Sequence, residues 1–333
     1  MVEKISHFVP QPEMPEAIIG NSKMLASVRK NGEIYRLFWP RIDYGQHLGH
    51  FWAGIRVAIP QGQSFTKWFH LDEWESSQRY LDNTNILETT LTSLSNPLKA
   101  TQTDYVLPLK DVLTRHYKLE NTGNKSEKVS FFLYCNFEIE ESVLYDGVYL
   151  DFSNHSLVFF RRNVYLAVVG CGHPLTGYQC GRRGASTDPY QEATRGALWG
   201  NRDSIRQGAG SLAWDLGEIA PGESKTLTLY LATGREGEEV QALLADAASR
   251  AGDEWLEDTR RYWHDWLQSG TRPPGGCSRH PAYNRSLLAM KLMTCEETGA
   301  SIAAPEFDPS YLACGGYGYC WPRDAVYVAA GQV

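Results

Sequence analysis

The sequence predicts a mainly β fold, with a large antiparallel β-sandwich over residues 1–234 and helices after it. Up to Thr233 the apolar residues recur mostly at every second position, which is typical of half-buried strands. Residues that favour turns separate these stretches, and after Gly234 the apolar period changes to that of a helix. Many strands at short spacing, with no helical stretch between them, favour an antiparallel sandwich.

The clearest strand is Lys128–Glu140, in which alternate residues from Val129 to Ile139 are apolar. The stretch 113–119 alternates in the same way and predicts a second strand. The intervening segment NTGNKSEK (121–128) is rich in turn-forming residues, and we expect a hairpin loop there. Asp146-Gly147 predicts another hairpin, and Pro221-Gly222 predicts a turn before the strand KTLTLYLATG.

The segment 235–272 is predicted to be a helical linker. Its first part places Val240, Leu243, Leu244 and Ala247 on one helical stripe. Its second part, with Asp253 as the expected N-cap and Gly270 as the expected stop, carries an aromatic stripe that indicates packing against a neighbouring layer. Pro273 to Gly276 interrupt the helical pattern, and a further helix is predicted from Pro281 to Gly299.

Composition excludes several classes of partner. The net charge is −7 and no basic block occurs, so a nucleic-acid partner is disfavoured. No apolar stretch is long enough to span a membrane, and the first residues do not form a secretory signal, so we expect a cytoplasmic protein. The seven cysteines form no CxxC pair and are expected to be reduced thiols. Cys171, His173 and Cys180 match no standard zinc spacing, so no metal is expected.

Several stretches resemble the bacterial glucoamylase–glucodextranase group of glycoside hydrolase family 15. They are the opening AIIGNSKMLASVRKNGEIYRLFWPRIDY, the segment GSLAWDLGEIAPGESKTLTLYLATG, and the later SLLAMKLMTCEETGASIAAPEFDP and GGYGYCWPRDA. The resemblance covers essentially the whole chain, and YCWPRD (319–324) is its most specific part. It implies that residues 273–333 are the first helices of an (α/α)6 catalytic barrel, and that no redox or organic cofactor is needed.

The tail GGYGYCWPRDA combines the side chains that a sugar requires. Aromatic rings pack on the C–H face of a sugar, while a guanidinium and a neighbouring carboxylate bracket adjacent hydroxyls. The resemblance implies that Arg323 and Asp324 hold the non-reducing-end glucose in subsite −1, and that Tyr317 and Trp321 line the same pocket. The expected partners are therefore an α-glucan or oligosaccharide and the remainder of the barrel.

The resemblance also implies an inverting α-glucosidase, which needs two carboxylates roughly 6.5–9.5 Å apart with a water between them. In the family both glutamates come from later barrel loops, and a twelve-helix barrel needs about 200 residues. We therefore expect this chain to be an amino-terminal fragment with part of subsite −1 and no catalytic pair. The nearest candidate carboxylates are Glu296, Glu297, Glu306 and Asp324. Glu296 and Glu297 are adjacent on a predicted helix and face different sides, and Glu306 has no visible catalytic partner.

Two alternatives stay open at this stage. In the first, the sandwich is a non-catalytic glycan-binding or domain-packing module. In the second, the chain is one half of a split glucosidase or trehalase-type enzyme. The segment FTKWFHLDEWESSQRYLDN carries five aromatic residues that would serve the first alternative: Phe65, Trp68, Phe69, Trp74 and Tyr80. The simpler interpretation is that these rings pack between layers of the protein. The sequence does not select among α-1,4, α-1,6 and trehalose linkages.

Overall fold

The computed structural model describes residues 15–43, 45–59, 62–270, 281–305 and 317–332. Within these residues the chain is mainly β, and its strands form large antiparallel sheets. The β-sandwich and the following helices agree with the predicted order of elements. None of the described helices is long and apolar enough to cross a membrane.

The larger layer is a nine-stranded antiparallel sheet. In spatial order its strands are β15 (Asp203–Ile205), β11 (Asp146–Asp151), β12 (Ser156–Arg161), β13 (Val164–Cys171), β17 (Ser224–Gly234), β9 (Val112–Asn121), β8 (Leu98–Val106), β7 (Leu87–Ser93) and β6 (Trp74–Tyr80).

Two smaller sheets complete the β structure. The five-stranded sheet has the order β14 (Leu175–Arg182), β16 (Gly208–Ile219), β10 (Glu127–Phe137), β4 (Leu48–Val57) and β5 (Lys67–Trp68). The three-stranded sheet consists of β1 (Ala17–Gly20), β2 (Leu25–Val28) and β3 (Ile34–Phe38).

The main core fills the space between the five- and nine-stranded sheets. It is built from the residues of each strand that point inward, which are every second residue. Examples are Phe131, Leu133 and Cys135 of β10 and Leu113 and Tyr117 of β9. The outward face of β10 is buried as well, because helix α1 (Pro189–Arg195) covers Phe132 and Tyr134. The strand therefore lies in the predicted place but is buried on both faces along its centre.

A buried ion pair inside the sandwich fixes the turn between β2 and β3. Arg115 contacts Asp104 through two bonds, Nε to Oδ1 at 2.9 Å and Nη2 to Oδ2 at 3.1 Å. Both side chains are almost fully buried. Gln102 Nε2 donates to Asp104 Oδ2 at 2.6 Å and to the Gly32 carbonyl at 2.9 Å, and Arg115 donates to the same carbonyl. The same network pairs the Arg115 charge with the Asp104 carboxylate and provides hydrogen bonds to the Gly32 carbonyl. Buried charges and buried backbone groups both need such partners in a low-dielectric interior.

Two loop predictions are wrong. β9 pairs with β8 and β17, whereas β10 pairs with β4 and β16, so the segment 122–126 crosses between sheets instead of closing a hairpin. Asn121 stabilises this corner, because its Nδ2 donates to the Ile219 carbonyl of the opposite sheet at 2.8 Å. Asp146 and Gly147 lie inside β11, where the Asp146 carboxylate accepts the backbone N–H groups of Gln207 and Gly208.

The outer face of the nine-stranded sheet is covered by helices. Helix α2 (Gly237–Ala248) buries Val240, Leu244 and Ala247, and helix α3 (Gly252–Ser269) buries Trp263 and Leu267. The predicted stripes therefore face the sheet. Asp253 lies in the first turn of α3 and is not the N-cap, which is Ala251.

Candidate functional site

The segment after the linker is attached to the sandwich through helix α4 (Pro281–Leu292). Leu288 and Leu292 are buried in a cluster that also contains Ile18, Leu25 and Ile42. The helix ends seven residues before the predicted stop at Gly299. The chain turns back there, because Thr294 forms an antiparallel bridge with Ser301 and its hydroxyl contacts the Ser301 hydroxyl at 2.9 Å.

Polar contacts fix α4 to the loop between β6 and β7. Arg285 donates through Nη1 to the Thr84 carbonyl at 2.8 Å and through Nη2 to the side chain of Asn85. Its guanidinium lies 3.9 Å from the centroid of the Tyr80 ring. Asn85 in turn donates from Nδ2 to the Leu288 carbonyl at 3.3 Å. Burial lowers the pKa of Arg285, and the nearby Tyr80 opposes that effect.

The predicted sugar-binding residues lie at the start of helix α5 (Pro322–Gln332). Tyr317 and Tyr319 precede the helix, and their carbonyls accept the N–H groups of Ala304 at 3.0 Å and Ala303 at 3.1 Å. Helix formation begins at Trp321, whose carbonyl accepts the Ala325 N–H at 2.9 Å. Pro322 fits the first helical position, where no N–H bond is needed.

The side chains at this helix start are open to solvent. Tyr317, Tyr319 and Trp321 are each about half exposed, and Tyr327 on the next turn is 76% exposed. Arg323 is 85% exposed on its side chain, and its Nη2 lies 3.8 Å from Asp324 Oδ2. An exposed ion pair of this kind contributes at most about 1 kcal/mol to stability. Fold stability therefore gives little reason for Arg323 and Asp324 to be adjacent, and both remain available for a ligand.

Among the other carboxylates near the tail, Glu296 contacts residues of the sandwich. Glu296 lies 3.7 Å from Lys23 Nζ, and its backbone N–H donates to the Ser22 carbonyl at 3.0 Å. Ser22 also donates from Oγ to the Lys291 carbonyl at 2.9 Å, so this turn holds the segment against the sandwich. Glu306 lies outside the described residues.

The described residues contain no group of three or more His, Cys, Asp or Glu side chains that could hold a metal ion. Cys171 lies on β13 of the nine-stranded sheet, whereas Cys180 lies on β14 of the five-stranded sheet. Cys180 is buried in the main core between the sheets, whereas Cys171 is partly buried against the cluster under the helices. Burial raises the pKa of Cys171 and raises that of Cys180 to about 12.

A stack of neutral rings lies on the outer face of the five-stranded sheet. The Trp52 ring stacks on His50 at 4.0 Å and on His70 at 4.2 Å between centroids. Its indole N–H donates to Glu33 Oε1 at 2.6 Å, and Glu33 also pairs with Arg29. Burial lowers the pKa of His50 to about 3 and that of His70 to about 4. The faces of these rings pack against one another, so we interpret the cluster as a packing feature and not as a binding site.

The aromatic residues of the segment 65–80 divide into two groups. Trp68, Phe69 and Trp74 are buried, and Tyr80 exchanges hydrogen bonds of 2.8 Å with the backbone of Ile18. The packing interpretation therefore holds for these four residues. Phe65 differs, because it is 51% exposed beside a groove of about 620 Å³.

Comparison with known proteins gives a related sequence and a shared fold. The chain is 24% identical, over 94% of its length, to an uncharacterized glycosyl hydrolase of Methanocaldococcus jannaschii. A bacterial glucoamylase crystallised with acarbose superimposes with a TM-score of 0.77 over 96% of the chain at 16% identity. A putative kojibiose phosphorylase from the human microbiome gives a TM-score of 0.50 over 86% of the chain at 11% identity.

The chain spans about half the length of these relatives, 49% of the archaeal protein and 47% of the glucoamylase. No protein-family model matches it. The chain therefore has a glycosyl hydrolase-like relative and shares the fold of a bacterial glucoamylase over nearly all its residues.

Proposed function

We propose that this chain is the amino-terminal part of an exo-acting, inverting α-glucosidase of the glucoamylase type. The observation that carries the proposal is the match to the bacterial glucoamylase, which covers 96% of the chain with a TM-score of 0.77. In this proposal the described residues after 281 are the first helices of an (α/α)6 barrel.

Arg323 and Asp324 would bind adjacent hydroxyls of the terminal glucose, while Tyr317 and Trp321 contribute flat apolar walls. The openness of these four side chains supports this role, because each has surface available for a ligand. The guanidinium offers several N–H donors in a rigid plane, and the carboxylate beside it accepts from sugar hydroxyls. The chemistry itself would need a carboxylate pair from further barrel residues.

The experiment compares glucose release from maltose by the isolated 333-residue chain and by a longer protein that includes the barrel. We expect activity only from the longer protein. In that protein, Arg323→Ala should lower kcat/KM about 10- to 100-fold, since a charged hydrogen bond contributes about 1.5–3 kcal/mol.

Arg260→Ala, which changes an arginine on α3 whose side chain is 43% exposed, is the matched control and should leave kcat/KM unchanged. The proposal fails if the isolated chain releases glucose, or if Arg323→Ala and Arg260→Ala have equal effects.

A further inference from the structure

A second candidate binding site lies at one edge of the sandwich, where the five- and nine-stranded sheets both end. One wall is formed by the end of β4 and by residues 63–67, which lead into the edge strand β5. The other wall is formed by Asp72 and Glu73, just before β6, and by the loop after β7. We call this cleft the Phe65 groove and define it by Gln63, Phe65, Asp72, Leu94 and Asn96. Its volume of about 620 Å³ falls within the range of small-molecule sites, about 300–1,000 Å³.

Both walls of the Phe65 groove are held by hydrogen bonds. Next to Phe65, the Thr66 hydroxyl donates to the Ala193 carbonyl at 2.6 Å, and its N–H donates to the Thr194 carbonyl at 2.7 Å. On the other side, the Leu94 N–H donates to the Glu73 carbonyl at 3.0 Å. A ligand would therefore meet a cleft that exists before binding, which reduces the entropy cost of association.

The Phe65 groove combines exposed apolar surface with polar side chains that have no internal partner. Phe65 is 51% and Leu94 60% exposed. Within the described part of the chain, the side chains of Gln63, Asp72 and Asn96 take part in no hydrogen bond or ion pair, so their amides and carboxylate are free to bind hydroxyl groups.

The charges of the Phe65 groove disfavour an anionic ligand. Lys67 is the basic residue of its lining, and its Nζ lies 3.6 Å from Glu73 and also contacts Ser95. Asp72 leaves one carboxylate without a counter-ion among the lining residues. A phosphate or other anion would meet no unpaired cation here, whereas a sugar offers hydroxyl donors to the carboxylate and C–H faces to the phenyl ring.

We propose that the Phe65 groove is an auxiliary binding site for a neutral oligosaccharide. The assignment of that oligosaccharide to the α-glucans rests on the proposed function. The groove lies at the Trp74 end of β6, whereas α4 contacts the Tyr80 end of the same strand. The seven residues of β6 span about 20 Å at ~3.3 Å per residue. A sugar in the groove therefore binds at the end of β6 opposite to the contact with α4.

The test measures retardation of the 333-residue chain in native gels containing soluble starch, together with calorimetric titration by maltoheptaose. We expect Phe65→Ala to weaken maltoheptaose binding at least tenfold, and Asn96→Ala to weaken it severalfold. Phe152→Ala is the matched control, because Phe152 is also 51% exposed but lies outside the lining of the groove. Thermal unfolding of each variant verifies that an exposed substitution has left the fold intact.

Arg323→Ala separates this proposal from the proposed function. Binding that Phe65→Ala abolishes and Arg323→Ala preserves supports the groove. Binding that only Arg323→Ala abolishes overturns the groove and leaves the proposed function standing. The groove proposal is also overturned if the wild-type chain binds no maltoheptaose, or if Phe65→Ala changes only self-association in sedimentation experiments.

Discussion

Docking of α4 on the sandwich determines where the candidate sugar-binding segment lies, and Arg285 is its main polar contact. Replacing Arg285 by alanine removes the bonds to Thr84 and Asn85 and the contact with the Tyr80 ring. A hydrogen bond from a charged group contributes about 1.5–3 kcal/mol, and a partly buried cation–π contact about 1 kcal/mol. We therefore expect Arg285→Ala to destabilise the docked α4 by about 3 kcal/mol, with water replacing part of what is lost.

Hydrogen exchange measured by mass spectrometry distinguishes this local effect from global unfolding. At 1.4 kcal/mol per factor of ten, amides of residues 282–292 should exchange about 100-fold faster, while β8 and β9 keep their protection. Arg260→Ala, which changes an arginine on α3 that pairs with Glu257 of the same helix, should leave both regions unchanged. Unchanged protection of α4 in Arg285→Ala would refute the idea that this side chain holds the segment in place.

Two further predictions concern the sandwich. Asp104→Asn leaves the Arg115 guanidinium buried without its carboxylate, and urea denaturation should show a loss of about 3–5 kcal/mol. Glu88→Gln, at the exposed pair with Arg79, should cost less than about 1 kcal/mol, and a similar loss for both variants would contradict the buried-pair argument. Because burial lowers the pKa of His50 to about 3 and of His70 to about 4, the unfolded chain takes up protons below pH 6.5 that the folded chain rejects. The unfolding free energy should therefore fall by about 2 kcal/mol per ring between neutral pH and pH 5. The double variant His50→Phe with His70→Phe should flatten this pH dependence. An unchanged pH profile in the double variant would contradict the assignment of the effect to these two rings.

The strands and helices could be predicted because apolar residues recur along them with the period of a strand or of a helix. The alternation in β9 and β10 and the stripe of α2 follow directly from the packing that the structure contains. The partner of the buried Arg115, Asp104, comes from another strand, and pairing between strands is not encoded in local periodicity.

The connections could not be predicted in the same way. Asn and Gly near 121–126 favour any tight change of direction, so their presence does not reveal whether the next strand pairs locally or joins the other sheet. The answer depends on Asn121 reaching Ile219, about a hundred residues away in the chain. Likewise, the dipeptide Asp146-Gly147 is typical of a turn, but here it lies inside β11. The Asp146 carboxylate accepts two backbone N–H groups at the start of β16.

The candidate site depended on resemblance more than on pattern. An adjacent arginine and aspartate are common in surface helices, and nothing in their spacing distinguishes a sugar contact from an ordinary ion pair. The Phe65 groove shows the opposite case. The sequence indicated five aromatic residues without ranking them, and only the three-dimensional packing separates the exposed Phe65 from its four packed neighbours.

The geometry of α5 determines how much binding the described residues could provide by themselves. A glucose held only by Arg323 and Asp324 would remain hydrated on most of its surface, because these groups lie on the outside of one helix start. Each hydrogen bond would then replace a bond to water and contribute little net free energy. Tight and selective binding requires walls that exclude water, and the exposed rings of Tyr317, Trp321 and Tyr327 provide apolar surface against which such walls could pack. The proposed function therefore assigns to this chain the positioning of one wall of the sugar pocket, and it assigns the enclosure and the catalytic carboxylates to further barrel residues.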